Sequence, residues 1–212
     1  MALDWNRRAG LVGSPGTGKS TLSLHIIRGW QAECAAAGRD CYAFVYEGQG
    51  TFPRFGGDGM RLSFVHEHRT VDAAKRALAT RPGGIHIIQD TTGLDVLWLA
   101  EEVAARTGGY AICWWDEIAW VDGANNASEK LDRRLRKLLA VMRHRRVALG
   151  WGSQSPGWAH LDLRRLTNMW WLLRISEQSD IQALGRGGVP SSILAWVPRL
   201  RNFKHLHHNR DV

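Results

Sequence analysis

The chain has 212 residues, 44% of them hydrophobic and 23% charged, a make-up that suits one globular domain over 1–212 with a sizeable core. No apolar run approaches the ~20 residues of a membrane span, the opening MALDWNRR lacks a signal-peptide core, and three cysteines without a CxxC pair indicate neither a disulfide framework nor a zinc site. The same cysteine usage reads most simply as a reducing, cytosol-like setting, and a net charge of +8 with a pI near 10 favours a polyanionic partner.

In chain order, strand-like and helix-like segments alternate. A short strand, Ala9–Val12, enters a glycine-rich turn and a helix over about Lys19–Ala37. Strands are predicted at Cys41–Tyr46 and Leu62–His66, then a helix near Val71–Ala79, a strand at Ile85–Gln89 and a helix around Leu94–Ala105. The run Tyr110–Trp115 precedes a helix near Ser128–Met142. Val147–Trp151 and Met169–Ile175 complete the strands. This alternation predicts an α/β fold with a mostly parallel sheet flanked by helices. The segment 48–60, GQGTFPRFGGDGM, reads as a long exposed loop. The basic tail from Pro198 is expected to be a peripheral strand or partly disordered. The eleven tryptophans are expected mainly in the core or at interfaces.

The stretch GSPGTGKST, 13–21, matches G-x-x-x-x-G-K-[ST] between a strand and a helix. Gly13, Ser14, Pro15, Gly16, Thr17, Gly18, Lys19, Ser20 and Thr21 therefore form a candidate phosphate loop. Gly16 and Gly18 allow backbone N–H groups to curl round a β-phosphate at the helix N-terminus. Lys19 would reach the β- and γ-phosphates of ATP, and Ser20 would ligate Mg²⁺. In AICWWDEIAW, 111–120, an apolar run ends in two acids. Asp116 would hold the Mg²⁺ shell and Glu117 would polarise water. The apolar run Val147–Trp151 leads to Gln154, an amide suited to sensing a γ-phosphate if this strand lies beside the phosphate-loop strand. Ser, Gln, Pro and Gly equally suit a plain turn.

Together GSPGTGKS, Asp116–Glu117, RHRRVALGWGSQSP (143–156) and LRRLTNMWWLLRISEQSDIQAL (163–184) resemble the FtsK–HerA superfamily of DNA-translocating ATPases, over about half the chain. The resemblance implies a RecA-like (ASCE) P-loop core in a homo-oligomeric ring, usually a hexamer, with nucleotide between subunits. It puts Arg143 at the arginine finger, with Arg174 a weaker candidate, and Gln154 at the sensor glutamine. No membrane segment and no room for the N-terminal barrel of HerA helicases are evident. The chain thus looks most like the small genome-packaging ATPases of tailless, membrane-containing double-stranded DNA viruses. Such a protein would act on double-stranded DNA with capsid or portal proteins, in the host cytoplasm or at a virion's packaging vertex. A helicase, a secretion or conjugation motor, and a nucleotide-dependent assembly scaffold are the alternatives. Glu117 argues against a small-molecule kinase.

Residues 125–146 carry eight basic side chains and one acid between Lys130 and Arg146. Asn126 and Glu129 are spaced as a capping box, and Leu131, Leu135, Leu138 and Met142 should face the core. Lys130, Arg133, Arg134 and Lys137 would then share an outer face able to track DNA phosphates, or simply a solvated one. Arg54 and Phe52 in the glycine-rich loop are an equal candidate for DNA contact. The lone histidines and the cluster His205, His207 and His208 are assigned no metal.

Overall fold

In the computed structural model, residues 5–48, 50–57, 60–81, 83–125 and 130–210 are described, and of Arg143 the backbone alone. The described strands are β1 (Arg8–Val12), β2 (Cys41–Tyr46), β3 (Val65–His68), β4 (Ile85–Ile88), β5 (Tyr110–Trp115), β6 (Val147–Ser153), β7 (Met169–Leu172) and β8 (Leu206–Asn209). They form one sheet in the order β3-β4-β2-β5-β6-β1-β7-β8, parallel throughout except for the antiparallel pair β7–β8. The α/β architecture expected from the alternating pattern is the one observed.

The strands read as nearly unbroken apolar runs because both faces of a parallel sheet are covered. Along β5, Ala111, Cys113 and Trp115 enter one core layer, while Ile112 and Trp114 enter the other. Helix α1 (Lys19–Ala36) covers the second layer with Ile26, Ile27, Trp30 and Cys34. The first layer lies under α2 (Val71–Ala77), α3 (Gly93–Thr107), α4 (Arg133–Arg145), α5 (Leu161–Leu166), α6 (Gln178–Arg186) and α7 (Ser191–Leu194). The tryptophans are mostly core anchors, as expected: Trp5, Trp30, Trp114, Trp115, Trp151, Trp170 and Trp171 are buried. Their bulk is accommodated by glycine on the neighbouring strand. A Cβ at Gly150 would stand 2.0 Å from Trp114 Cε3, its partner across the β5–β6 ladder.

Two expectations change, and a third is resolved. Helix α4 starts at Arg133, capped by Asp132, whose carboxylate accepts from Leu135 N at 2.8 Å. Asp132 N in turn donates to Gly123 O at 2.8 Å, and Leu131 is buried, so a tertiary anchor fixes the helix start. Asn126 and Glu129 lie outside the described residues. Leu135, Leu138 and Met142 face the core as expected. The loop after β2 is not simply exposed: Phe52 is buried, and the isolated bridge Phe55–Arg61 closes its far end. The tail, of the two forms expected, takes that of a strand, β8 on the edge of the sheet. Among the described residues no helix is long and apolar enough to cross a membrane.

Candidate active site

Parallel strands deliver their carboxyl ends to one edge of the sheet, and β1, β6 and β5 lie side by side there. Pairing of Val12 with Ser153 and of Trp115 with Trp151 aligns the three ends. Gly13, Gln154 and Asp116 follow directly. The strand leading to Gln154 thus lies beside the phosphate-loop strand, as the functional reading of that amide required.

The loop 13–18 is shaped by its own chain. Gly16 (φ 73°) and Gly18 (φ 98°) occupy the left-handed region, which side chains disfavour. Thr17 is buried and its hydroxyl donates to Ser14 O at 2.7 Å. Gly13 N donates to Ser153 O at 3.2 Å and Ser14 N to Arg174 O at 3.0 Å, tying the loop to the strands on either side. Lys19 Nζ folds over the loop, donating to Gly13 O at 2.8 Å and Ser14 O at 3.3 Å. Burial lowers the Lys19 pKa, against the opposing pull of Glu117 and Asp116. Ser20 and Thr21 follow in the first turn of α1.

Asp116 and Glu117 are 9% and 6% exposed, which is costly for two adjacent acids. Burial raises the Asp116 pKa and nearby Glu47 adds to the rise; the Thr51 hydroxyl, donating to Asp116 Oδ2 at 2.7 Å, opposes it, as do Lys19 and Arg54. Burial likewise raises Glu117, against contacts from Ser153, the Gln154 and Ala119 amides, and Lys19. Gln154 N donates to Glu117 Oε2 at 3.2 Å. Glu117 Oε1 is buried with no hydrogen-bond partner among the described residues. The Asp116 carboxylate and the Ser20 hydroxyl are both oxygen donors, so these residues fit a hard divalent cation such as Mg²⁺.

Not every expected residue joins this cluster. The Arg143 side chain lies outside the described residues, but its backbone sits in the last turn of α4, just before β6 begins. That is the opposite end of the sheet, the seven residues of β6 or roughly 20 Å away. Arg143 therefore does not serve its own phosphate loop. Arg174 is exposed just beyond β7, beside that loop. Arg54 is bound within the chain: it pairs with the buried carboxylate of Glu47 and, at 3.2 Å, with Glu67. Arg133, Arg134 and Lys137 are all exposed, and Arg134 pairs with Glu101 at 3.0 Å and lies 3.9 Å over the Trp98 ring.

Glu47 and Thr51 join the cluster without a motif to announce them. Glu47 ends CYAFVYE as Asp116 ends YAICWWD, so the same signal was present. Glu47 also accepts from Phe52 N and so shapes the turn that presents Thr51 to Asp116. Nothing in the local sequence marks Thr51.

No protein-family model and no curated protein matches the chain. Among solved structures, the genome packaging NTPase B204 from Sulfolobus turreted icosahedral virus 2, in complex with ATP-gammaS, is similar with a TM-score of 0.73 and 12% identity. The match covers 99% of this chain and 94% of that one. The same protein in complex with AMP gives 0.72 and 12%, over 99% and 95%. B204 of Sulfolobus turreted icosahedral virus, a DNA-packaging ATPase, gives 0.68 and 13%, over 99% and 95%. At such identities the likeness is one of fold, and it runs the length of both chains: this chain has the α/β fold of a small P-loop NTPase.

Proposed function

We propose that the protein is a Mg²⁺-dependent ATPase that assembles as a ring, a hexamer by its FtsK–HerA resemblance, and moves double-stranded DNA, packaging a viral genome. The observation that carries the hydrolytic reading is Glu117. One of its oxygens is held by the Gln154 amide, and the other is buried and without a partner among the described residues. With that oxygen uncommitted, the carboxylate would take a proton from a water attacking a γ-phosphate. Bound Mg²⁺ would neutralise phosphate charge, held by Ser20 and Asp116. Lys19, now folded onto the loop carbonyls, would turn to the β- and γ-phosphates. Gln154, whose backbone N–H already touches Glu117, would sense the γ-phosphate with its side-chain amide.

The DNA-moving reading is supported by fold likeness to packaging ATPases along the whole chain and by the net charge of +8. Arg133, Arg134 and Lys137 are the DNA-contact candidates that remain exposed, Arg134 while paired with Glu101; Arg54 would first have to leave its acidic partners. Arg143, remote from its own site, would act in a neighbouring subunit. Capsid or portal proteins would be the further partners, and the host cytoplasm or a packaging vertex the place of action. The test is steady-state ATP hydrolysis with and without long double-stranded DNA at low salt. Stimulation by DNA is expected. Turnover indifferent to DNA refutes translocation, and no turnover in Mg²⁺ refutes the ATPase.

A further inference from the structure

The turn between the helical segment Val197–Arg199 and β8 lies against the phosphate loop. Phe203 N donates to Thr17 O at 3.2 Å. The Phe203 ring occupies the space in front of Gly18, where a Cβ would stand 2.7 Å from Cδ1 and 3.2 Å from Cε1. Only glycine at that position lets an aromatic ring come so near the loop.

Two features of Phe203 are unexplained by folding. Its backbone has φ 62°, a conformation rare for a bulky residue. Burial of the side chain does not offset that strain, because Phe203 is 72% exposed. The turn is nevertheless held firmly. β8 pairs with β7, His207 stacks on Trp171 at 4.5 Å, and Arg210 N donates to Asn168 O at 2.8 Å. A strained, anchored and exposed ring beside a phosphate loop is a surface kept for a ligand.

The direction of that ligand follows from the strand order. Asp116, Glu117 and Gln154 stand on the β5–β6 side of the loop, and Phe203 comes from the β7–β8 side. A nucleoside triphosphate with its γ-phosphate at the carboxylates must send its nucleoside the other way. We propose that Phe203 is the platform on which the nucleobase stacks, held beside Gly18 by its hydrogen bond to Thr17. This rests on the nucleotide-site reading above and adds a base subsite to it. The ring reads the flat face of a base.

The experiment is calorimetric titration of the whole chain with MgATP and with magnesium tripolyphosphate, which has the phosphates and no base. Stacking on one aromatic residue predicts that Phe203→Ala weakens ATP binding by about 5- to 150-fold and leaves tripolyphosphate within about twofold of the unaltered protein. Phe203→Trp should restore ATP binding. Unchanged ATP affinity in Phe203→Ala overturns the proposal. So does an equal loss for both ligands, which would make Phe203 a prop for the loop. An unaltered protein that binds neither ligand overturns the nucleotide-site reading instead.

Discussion

Glu117→Gln tests the chemistry most directly. The substitution keeps the size of the side chain and removes its ability to take a proton. Gln154 N donates to Oε2, so the new amide must leave its oxygen there and place its NH₂ where Oε1 now lies. That oxygen is buried and has no hydrogen-bond partner among the described residues, which leaves it as the acceptor a lytic water would use. Loss of a positioned general base lowers turnover by about 10²–10⁴-fold, equivalent to roughly 3–5 kcal/mol of barrier. Nucleotide affinity should change little, because Lys19 and the loop amides are untouched. Stability should not fall either: burial already disfavours the Glu117 carboxylate, and an amide does not carry that penalty. The assay is steady-state phosphate release in Mg²⁺ alongside nucleotide titration of the same sample. Turnover within about threefold of the unaltered protein would refute the assignment of Glu117 as base. Glu47, at the end of β2 next to β5, would be the carboxylate to test next.

Four further outcomes are expected. Thr51→Val removes the donor to Asp116 Oδ2 and should raise the Mg²⁺ concentration for half-maximal turnover about 10- to 100-fold; an unchanged Mg²⁺ curve would refute the positioning role. His86 is buried, its Nε2–H facing Arg81 O and its Nδ1 accepting from His68, and burial with nearby positive charge pushes its pKa down to about 4. The unfolded chain then binds the extra proton between about pH 6.5 and 4, so this stability is present above that window and lost as pH falls through it. It amounts to roughly 3 kcal/mol; His86→Gln should flatten the acid slope in pH-dependent denaturation, and an identical slope would exclude His86 as its source. Gly150→Ala sets a methyl 2.0 Å from the buried Trp114 ring and should cost about 1–3 kcal/mol, a fall in Tm of about 3–10 °C by calorimetry. Arg143→Ala and Glu117→Gln chains, each inactive alone, should regain turnover when mixed, because a mixed interface pairs an intact Glu117 with an intact Arg143; absence of recovery at assembling concentrations would count against action in trans.

Much of the site was legible because its signals are local. The phosphate loop is one continuous stretch, and its glycines are required by the backbone angles of Gly16 and Gly18 themselves. An acid closing an apolar run marked Asp116 and Glu117, since two buried acids at a strand end are costly unless a partner meets them. The same rule applied to Glu47 but found no motif to attach it to. Local spacing marks Asn126 as a helix cap and gives no sign of Asp132, which caps α4. The choice of Asp132 came from its backbone bond to Gly123 and the burial of Leu131, contacts made only once the helix packs.

What the sequence determined by itself was the alternation of strands and helices, the phosphate loop, and the carboxylates at a strand end, since periodicity and steric limits act over a few residues. Tertiary structure decided which strand ends are neighbours: β6 between β1 and β5 brings the Gln154 amide to Glu117. It also decided that Arg54 turns inward to Glu47, that Arg143 stands at the far end of the sheet, and that Phe203 returns from the end of the chain to Thr17 and Gly18. Each of these depends on sheet order and on the competition of charges for buried partners, and neither is encoded within any short window of residues.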